Sequence, residues 1–253
     1  MSGWLAVIGL GPGSPDMQTP QVAQALERAT DLVGYDTYLA RVARRDGQLR
    51  HGSDNREELS RAALALGLAA EGRRVAVVSS GDPGVFAMAS AVFEALECGP
   101  PSWRALDIEV MPGISAMFAA AARLGAPLGH DFCAISLSDN LKPWPVVLAR
   151  LTAAASAGFV IALYNAVSRA RPWQLGAALG ALRPILPPQT AVIFATAISR
   201  PEEQISIATL ASADPAIADM RTLVLIGSAA TRVIERQAAA PFVYTPRSAV
   251  EKC

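Results

Sequence analysis

Three observations predict an α/β protein made of two successive α/β domains. In the first half, short apolar runs alternate with stretches of helical periodicity, the pattern of a mostly parallel sheet with both faces covered. In the second half the alternation persists, but its last apolar runs follow one another with little helix between, which points to antiparallel pairing. A Gly- and Pro-containing segment, residues 125–130, separates the halves. The expected domains are therefore 1–124 and 125–253, with a ligand cleft between them.

The elements follow in order. Residues 4–10 are an apolar run that ends in glycines, hence a buried strand. Residues 21–29 read as a helix with Thr19 as N-cap and Pro20 at its first position. Residues 31–34 are a second strand, and 56–70 place Leu59, Ala63, Leu66 and Ala70 at helical spacing. Residues 75–79 are a third strand, which breaks at Ser80-Gly81-Asp82-Pro83-Gly84 before a helix over 85–96. A fourth strand, 106–111, leads through Pro112-Gly113 into an Ala-rich helix ending at Arg123. The second half reads as strand 132–137, helix 144–157, strand 159–164 and helix 172–182, then strands 190–195, 204–209 and 222–227.

Composition narrows the function. Of 253 residues 52% are hydrophobic, enough to bury a sizeable core. The 22 basic residues balance 22 acidic ones, so the basic footprint of a nucleic-acid binder is missing; Arg44-Arg45 and Arg73-Arg74 read as solvated surface. Cys98, Cys133 and Cys253 form no CxxC pair or zinc spacing, and only two histidines are present, so no metal site is expected. The start of the chain lacks the basic region of a signal peptide, and the apolar run 159–163 is too short to span a bilayer. The expectation is a cytoplasmic protein with no membrane partner.

Five segments carry the chemistry. Gly9-Leu10-Gly11-Pro12-Gly13-Ser14 lets the backbone turn sharply and approach a ligand. Ser14 stands where a dinucleotide fingerprint needs its third glycine, and Pro12 removes an amide donor, so pyrophosphate binding fits poorly. The turn after the third strand, with Ser80, Gly81, Asp82 and Val85, lies where ligands bind in open α/β sheets; equally, Asp82 could cap the next helix. Pro112-Gly113-Ile114-Ser115-Ala116 opens a helix with small residues that suit a ligand or close helix packing. The segment 136–144, SLSDNLKPW, combines hydroxyls, Asp139, Asn140, Lys142 and Trp144, and is otherwise a polar turn. The segment 164–173, YNAVSRARPW, brings Arg169, Arg171 and Trp173, suited to a carboxylated ligand with a π surface or to a solvated loop. No Gly-x-Ser-x-Gly elbow, HExxH or Walker lysine is present, and no nucleophile–base pair is legible.

In this order the segments GLGPG, SSGDPGVF and PGISA resemble the shared marks of the tetrapyrrole methylase family, which includes precorrin and uroporphyrinogen methyltransferases. GYDTYL at 34–39, GAPLGHDFCAISLSDNLKPW at 125–144, FVIALYN at 159–165, SRARPW at 168–173 and YTPR at 244–247 are similar to members that methylate C17 of precorrin-3B. The resemblance implies the family's two-domain fold, S-adenosyl-L-methionine in the cleft with S-adenosyl-L-homocysteine as product, and a homodimer. Matching positions imply cofactor contacts from Pro12, from Ser80, Gly81, Asp82 and Val85, and from Ser115 and Ala116. From the second domain they imply Tyr164 and Asn165, and Ala197 and Ile198 at the end of the last cofactor strand. Three departures stand out. Asn165-Ala166 replaces a usual Asn-Pro, Ala197-Ile198-Ser199-Arg200 an Asn-Ala-Gly-Arg-like run, and 227–232 a more polar pattern.

The implied reaction joins methylation to ring contraction, which gives precorrin-4 in cobalamin (vitamin B12) biosynthesis and requires proton transfers. Asp36, after the second strand, is the first acid–base candidate, with Asp131 and Asp139 next. Ser138, Lys142, Arg169 and Arg171 are candidates for the tetrapyrrole's acetate and propionate groups. The competing readings are a related methyltransferase with another acceptor such as precorrin-4 C11, a nicotinamide oxidoreductase disfavoured by the missing glycine, and a silent tetrapyrrole-binding module.

Overall fold

The computed structural model describes residues 3–54, 57–168 and 170–248. The chain divides into two compact units, Met1–Ala116 and Met117–Cys253. That division falls at the head of the alanine-rich helix, which the sequence reading assigns whole to the first domain.

The first unit runs β1 (Trp4–Gly9), α1 (Pro20–Arg28), β2 (Asp31–Tyr35), α2 (Asp36–Leu39), β3 (Leu49–Ser53), α3 (Glu58–Ala70), β4 (Arg74–Ser79), α4 (Met88–Cys98) and β5 (Asp107–Met111). Its sheet has the order β3-β2-β4-β1-β5, and every pairing is parallel. Alternate residues of one strand face opposite sides. Leu5, Val7, Val75 and Val77 therefore pack beneath α3 and α4, while Ala6, Ile8, Ala76 and Val78 pack on α1. Each such fully buried Val, Leu or Ile side chain stabilises the fold by roughly 1.5–3 kcal/mol. The parallel α/β expectation is borne out. Thr19 caps α1 as expected, its Oγ1 accepting from the Val22 N–H at 3.3 Å. The sequence reading has no strand at Leu49–Ser53, because an exposed edge strand of sequence LRHGS carries no apolar run.

The second unit contains α5 (Ala116–Leu124), whose first residue closes the first unit, then β6 (Gly125–Ala126), β7 (Phe132–Ser136), α6 (Trp144–Ser156), β8 (Val160–Tyr164), α7 (Gln174–Leu182), β9 (Ala191–Thr196), β10 (Gln204–Thr209), β11 (Thr222–Ile226), β12 (Arg232–Arg236) and β13 (Ala239–Tyr244). The main sheet has the order β10-β9-β11-β8-β7. Strands β7 and β8 are parallel, and β11 runs antiparallel to both β8 and β9, as does β10 to β9. The predicted change of style is thus real, and β7, β8 and β9 share one direction. Leu151, Leu175, Leu179 and Leu182 of α6 and α7 pack on Ile161, Leu163 and Phe194. A second sheet, β12-β13-β6, has no counterpart in the sequence reading. All five residues of β12 are exposed, so burial imposes no alternation there.

Cys98 and Cys133 are free thiols, and Cys253 lies outside the described residues. Among the described residues no group of potential metal ligands clusters, and no helix is long and apolar enough to cross a membrane.

Candidate functional site

In the first unit, β1, β4 and β5 end level with one another: Gly9 pairs with Ser79, and Ile8 with Met111. The three glycine-containing turns therefore emerge side by side. The first two are joined by backbone. Gly11 N–H donates to Gly81 O at 3.1 Å, and Gly81 N–H donates to Gly11 O at 2.9 Å. Both glycines have positive φ, +72° and +64°, which suits a residue without Cβ. At Gly9 the need is close approach: a Cβ would run into the Gly81 carbonyl oxygen and lie 2.9 Å from the Gly113 nitrogen.

Asp82 ties the second turn to the third. Its Oδ1 accepts from Gly84 N–H at 2.8 Å and its Oδ2 from Gly113 N–H at 3.1 Å. The helix-cap alternative for Asp82 is corrected, because α4 begins only at Met88 and leaves Val85 in a turn with Phe86 at φ +52°. The Met88 N–H instead donates to Ser79 Oγ at 3.4 Å. Pro12, Gly81 and Ser115 are buried, while Ser80, Asp82, Val85 and Ala116 are partly exposed. Asp36 heads the one-turn helix α2 directly after β2, so it belongs to the same sheet edge, on an exposed helix rather than in a loop. Its carboxylate lies over Gly52 of β3, where a Cβ would overlap Oδ1.

Arg41 has no place in the sequence reading. Its Nη1 donates to Ser80 Oγ at 2.9 Å, and its Nη2 donates to Gly11 O at 3.0 Å and Gly13 O at 3.4 Å. Partners some thirty to forty residues away leave no local sequence signal.

In the second unit, β7, β8 and β9 deliver Ser136, Tyr164 and Thr196 to one edge. Asn165, at φ +53°, donates from Nδ2 to Ser136 Oγ at 2.9 Å, and Ser136 Oγ also accepts from Ser138 N–H at 3.3 Å. Tyr164 Oη accepts from the Met117 N–H at 3.1 Å, satisfying a donor in the first turn of α5. Ala197 and Ser199 also take positive φ, +49° and +62°. Ala197 and Ile198 are themselves buried. Glu203 holds this turn: its Oε2 accepts from Ser199 N–H at 2.5 Å, and Arg123 Nε donates to its Oε1 at 3.0 Å.

The other polar candidates separate. Asp139 and Arg171 pair with each other, Oδ1 to Nη1 at 2.5 Å, and Arg171 Nη1 also reaches Asn140 Oδ1 at 2.6 Å. The Arg171 hydrogen bond holds the Asp139 carboxyl below its ordinary value, so Asp139 is a weak proton acceptor and Arg171 is already matched by an anion. Burial, with repulsion from Arg150 second, lowers the Lys142 ammonium. Asp131 immediately precedes β7, at the opposite end of that strand from Ser136; a five-residue strand is about 16 Å long. The length of β7 thus separates Asp131 from Asp139, the other second-ranked acid–base candidate. Trp144 and Trp173 pack edge to face on each other, with ring centroids 4.9 Å apart. Arg169 lies outside the described residues.

The family model described as Tetrapyrrole (Corrin/Porphyrin) Methylases matches residues 5–214, and the chain belongs to the tetrapyrrole methylase family. Within it, the chain is 56% identical over 247 residues to a Sinorhizobium sp. protein named Precorrin-3B C(17)-methyltransferase, covering 98% of this chain and 97% of that one. The crystal structure of the methyltransferase CobJ superposes with a TM-score of 0.92 at 56% identity, covering 97% of this chain and 100% of the other. At 21% identity and a TM-score of 0.65, a uroporphyrin-III C-methyl transferase from Thermus thermophilus, solved as its complex with S-adenyl homocysteine, shares the fold over 89% of this chain and 92% of its own.

Proposed function

We propose that this chain transfers a methyl group from S-adenosyl-L-methionine to C17 of precorrin-3B, coupled to contraction of the macrocycle, to give precorrin-4 in cobalamin biosynthesis. Identity of 56% across nearly the whole chain to a relative bearing that name is the observation that carries the acceptor. The joined turns of the first unit support the donor. Gly11 and Gly81 spend their amides on each other and Pro12 has none, so this edge suits a ligand without a diphosphate.

The methyl donor supplies an already electrophilic carbon, and the protein's task is to align it with the acceptor. Such orientation is worth roughly 7–11 kcal/mol of barrier. In this reading Pro12, Ser80, Gly81, Val85, Ser115 and Ala116 form the first unit's contacts, and Asp82 keeps their turns together. Tyr164, Asn165, Ala197 and Ile198 are the second unit's proposed contacts. Asp36 is the proposed proton-transfer group, since it shares the sheet edge of the donor turns and lacks the arginine partner that ties up Asp139. Ser138 and Lys142 are the proposed contacts for carboxylates of the acceptor. A cytoplasmic homodimer is part of the same proposal, supported by the family resemblance and checked by sedimentation.

Methyl-labelled S-adenosyl-L-methionine incubated with precorrin-3B tests the assignment. The expected product carries label at C17 of a contracted ring by NMR. Label at C11 or C2, or none, would sink it.

A further inference from the structure

We infer that Arg41 is a positioning residue for the methyl-donor site and acts through Ser80; the inference rests on the functional reading above. Arg41 lies just beyond α2, its own N–H donating to Tyr38 O at 3.0 Å as the chain leaves that turn of helix. From there one planar guanidinium spans two turns that no local sequence signal connects to it. Nη1 donates to Ser80 Oγ at 2.9 Å, and Nη2 to the carbonyls of Gly11 and Gly13 at 3.0 and 3.4 Å. The fork is what makes this possible, because a lysine ammonium is a single point on a flexible stem.

Two consequences follow. The Gly11 carbonyl accepts from both Gly81 N–H and Arg41 Nη2, so its two lone pairs are spent within the protein. The first turn therefore offers a ligand no acceptor at that atom. The second consequence concerns Ser80. A hydroxyl has one proton and two lone pairs. With a charged donor on one lone pair, the Ser80 proton points away from Arg41, and the polarised O–H is a stronger donor. Arg41 thereby fixes Ser80, partly exposed at the end of β4, as a hydrogen-bond donor toward an acceptor atom of the methyl donor.

Calorimetric titration with S-adenosyl-L-homocysteine tests this in the wild-type chain and in R41A, R41K, S80A and the R41A/S80A double variant, with thermal midpoints measured alongside. R41A is expected to bind about tenfold or more weakly. R41K, which keeps the charge without the fork, should remain at least about threefold weaker, and it carries the test should R41A fail to fold. In the S80A background the Arg41 substitution should cost little further affinity, the non-additivity of residues acting as one unit. Added guanidinium ion should recover part of the affinity of R41A and none of that of S80A. Unchanged affinity in R41A and R41K, or an equal loss with and without Ser80, would overturn the role of Arg41. Failure of the wild-type chain itself to bind would instead overturn the methyltransferase reading on which it rests.

Discussion

The two units build their candidate edges by different means. The first unit joins its first two turns through glycine backbone, with Gly11 and Gly81 hydrogen-bonded to each other and Gly9 pressed against both neighbouring turns, and ties the third through the Asp82 carboxylate. The second unit makes its turns with Asn165, Ala197 and Ser199, all at positive φ, and stabilises them through side chains: Asn165 on Ser136 and Glu203 on the Ser199 amide. A left-handed residue other than glycine costs roughly 1–2 kcal/mol, and such strain concentrates at functional sites. The first edge therefore has no room for a Cβ at Gly9 or Gly11, while the second carries strain that a smaller residue would relieve.

Substitutions can break or sharpen that contrast. The largest effect is expected at Gly9. In Gly9→Ala the new Cβ meets backbone on two sides, and destabilisation should reach about 3 kcal/mol or more by urea unfolding, the upper end of ordinary single changes. A cost below about 1 kcal/mol would show that the turns can part.

Asp31, the first residue of β2, tests the opposite end of the same sheet. Its buried carboxylate accepts from Arg73 Nε at 2.7 Å and Nη2 at 2.9 Å, and meets His51 Nε2 at 2.9 Å. Burial alone would raise this carboxyl, but the hydrogen bonds from Arg73, His51 and Thr30 outweigh it and hold it below its ordinary value. A depressed folded value contributes stability above the unfolded pKa of about 3.9, which is lost as pH falls through the folded value. Asp31→Asn should cost about 2–3 kcal/mol at neutral pH and flatten the acid limb of the stability profile, leaving S-adenosyl-L-homocysteine affinity unchanged. A steep acid limb retained in the variant would contradict the linkage.

Gly81→Ala comes next, at about 1–2 kcal/mol. The nearest atom to a Cβ there is 3.7 Å away, so the cost is backbone strain rather than collision. Smallest is Ser199→Gly, expected to stabilise by about 0.5 kcal/mol as relief of strain slightly exceeds glycine's entropy cost. A net loss in that variant would mean that glycine's entropy cost and the lost packing of the side chain outweigh the relief of strain.

The same contrast explains what the sequence made legible. Glycine announces a tight turn, so all three turns of the first unit, and Gly81 among them, were visible in one dimension. Their mutual bonding was not, and a cap by Asp82 stayed open as the alternative because nothing local shows that α4 waits until Met88. In the second unit, Ala197 and Ser199 hide their left-handed backbone behind ordinary residue types. Asp139 and Arg171 read as separate functional charges because their pairing joins residues 32 apart. Asp131 and Asp139 read alike as acidic candidates, because nothing local shows that β7 carries the chain from one end of the sheet to the other between them. The hairpin β12–β13 escaped because a fully exposed strand has no buried face to impose a period.

The seat of the methyl donor is tested most directly by calorimetric titration of S-adenosyl-L-homocysteine into the wild-type chain, Gly81→Ala and Ser199→Gly, each confirmed folded. The joined glycine turns predict measurable binding by the wild type and a loss of about tenfold or more, about 1.4 kcal/mol, in Gly81→Ala. Equal affinity of Gly81→Ala and wild type, alongside the expected drop in stability, would contradict the account and leave those turns a purely structural device.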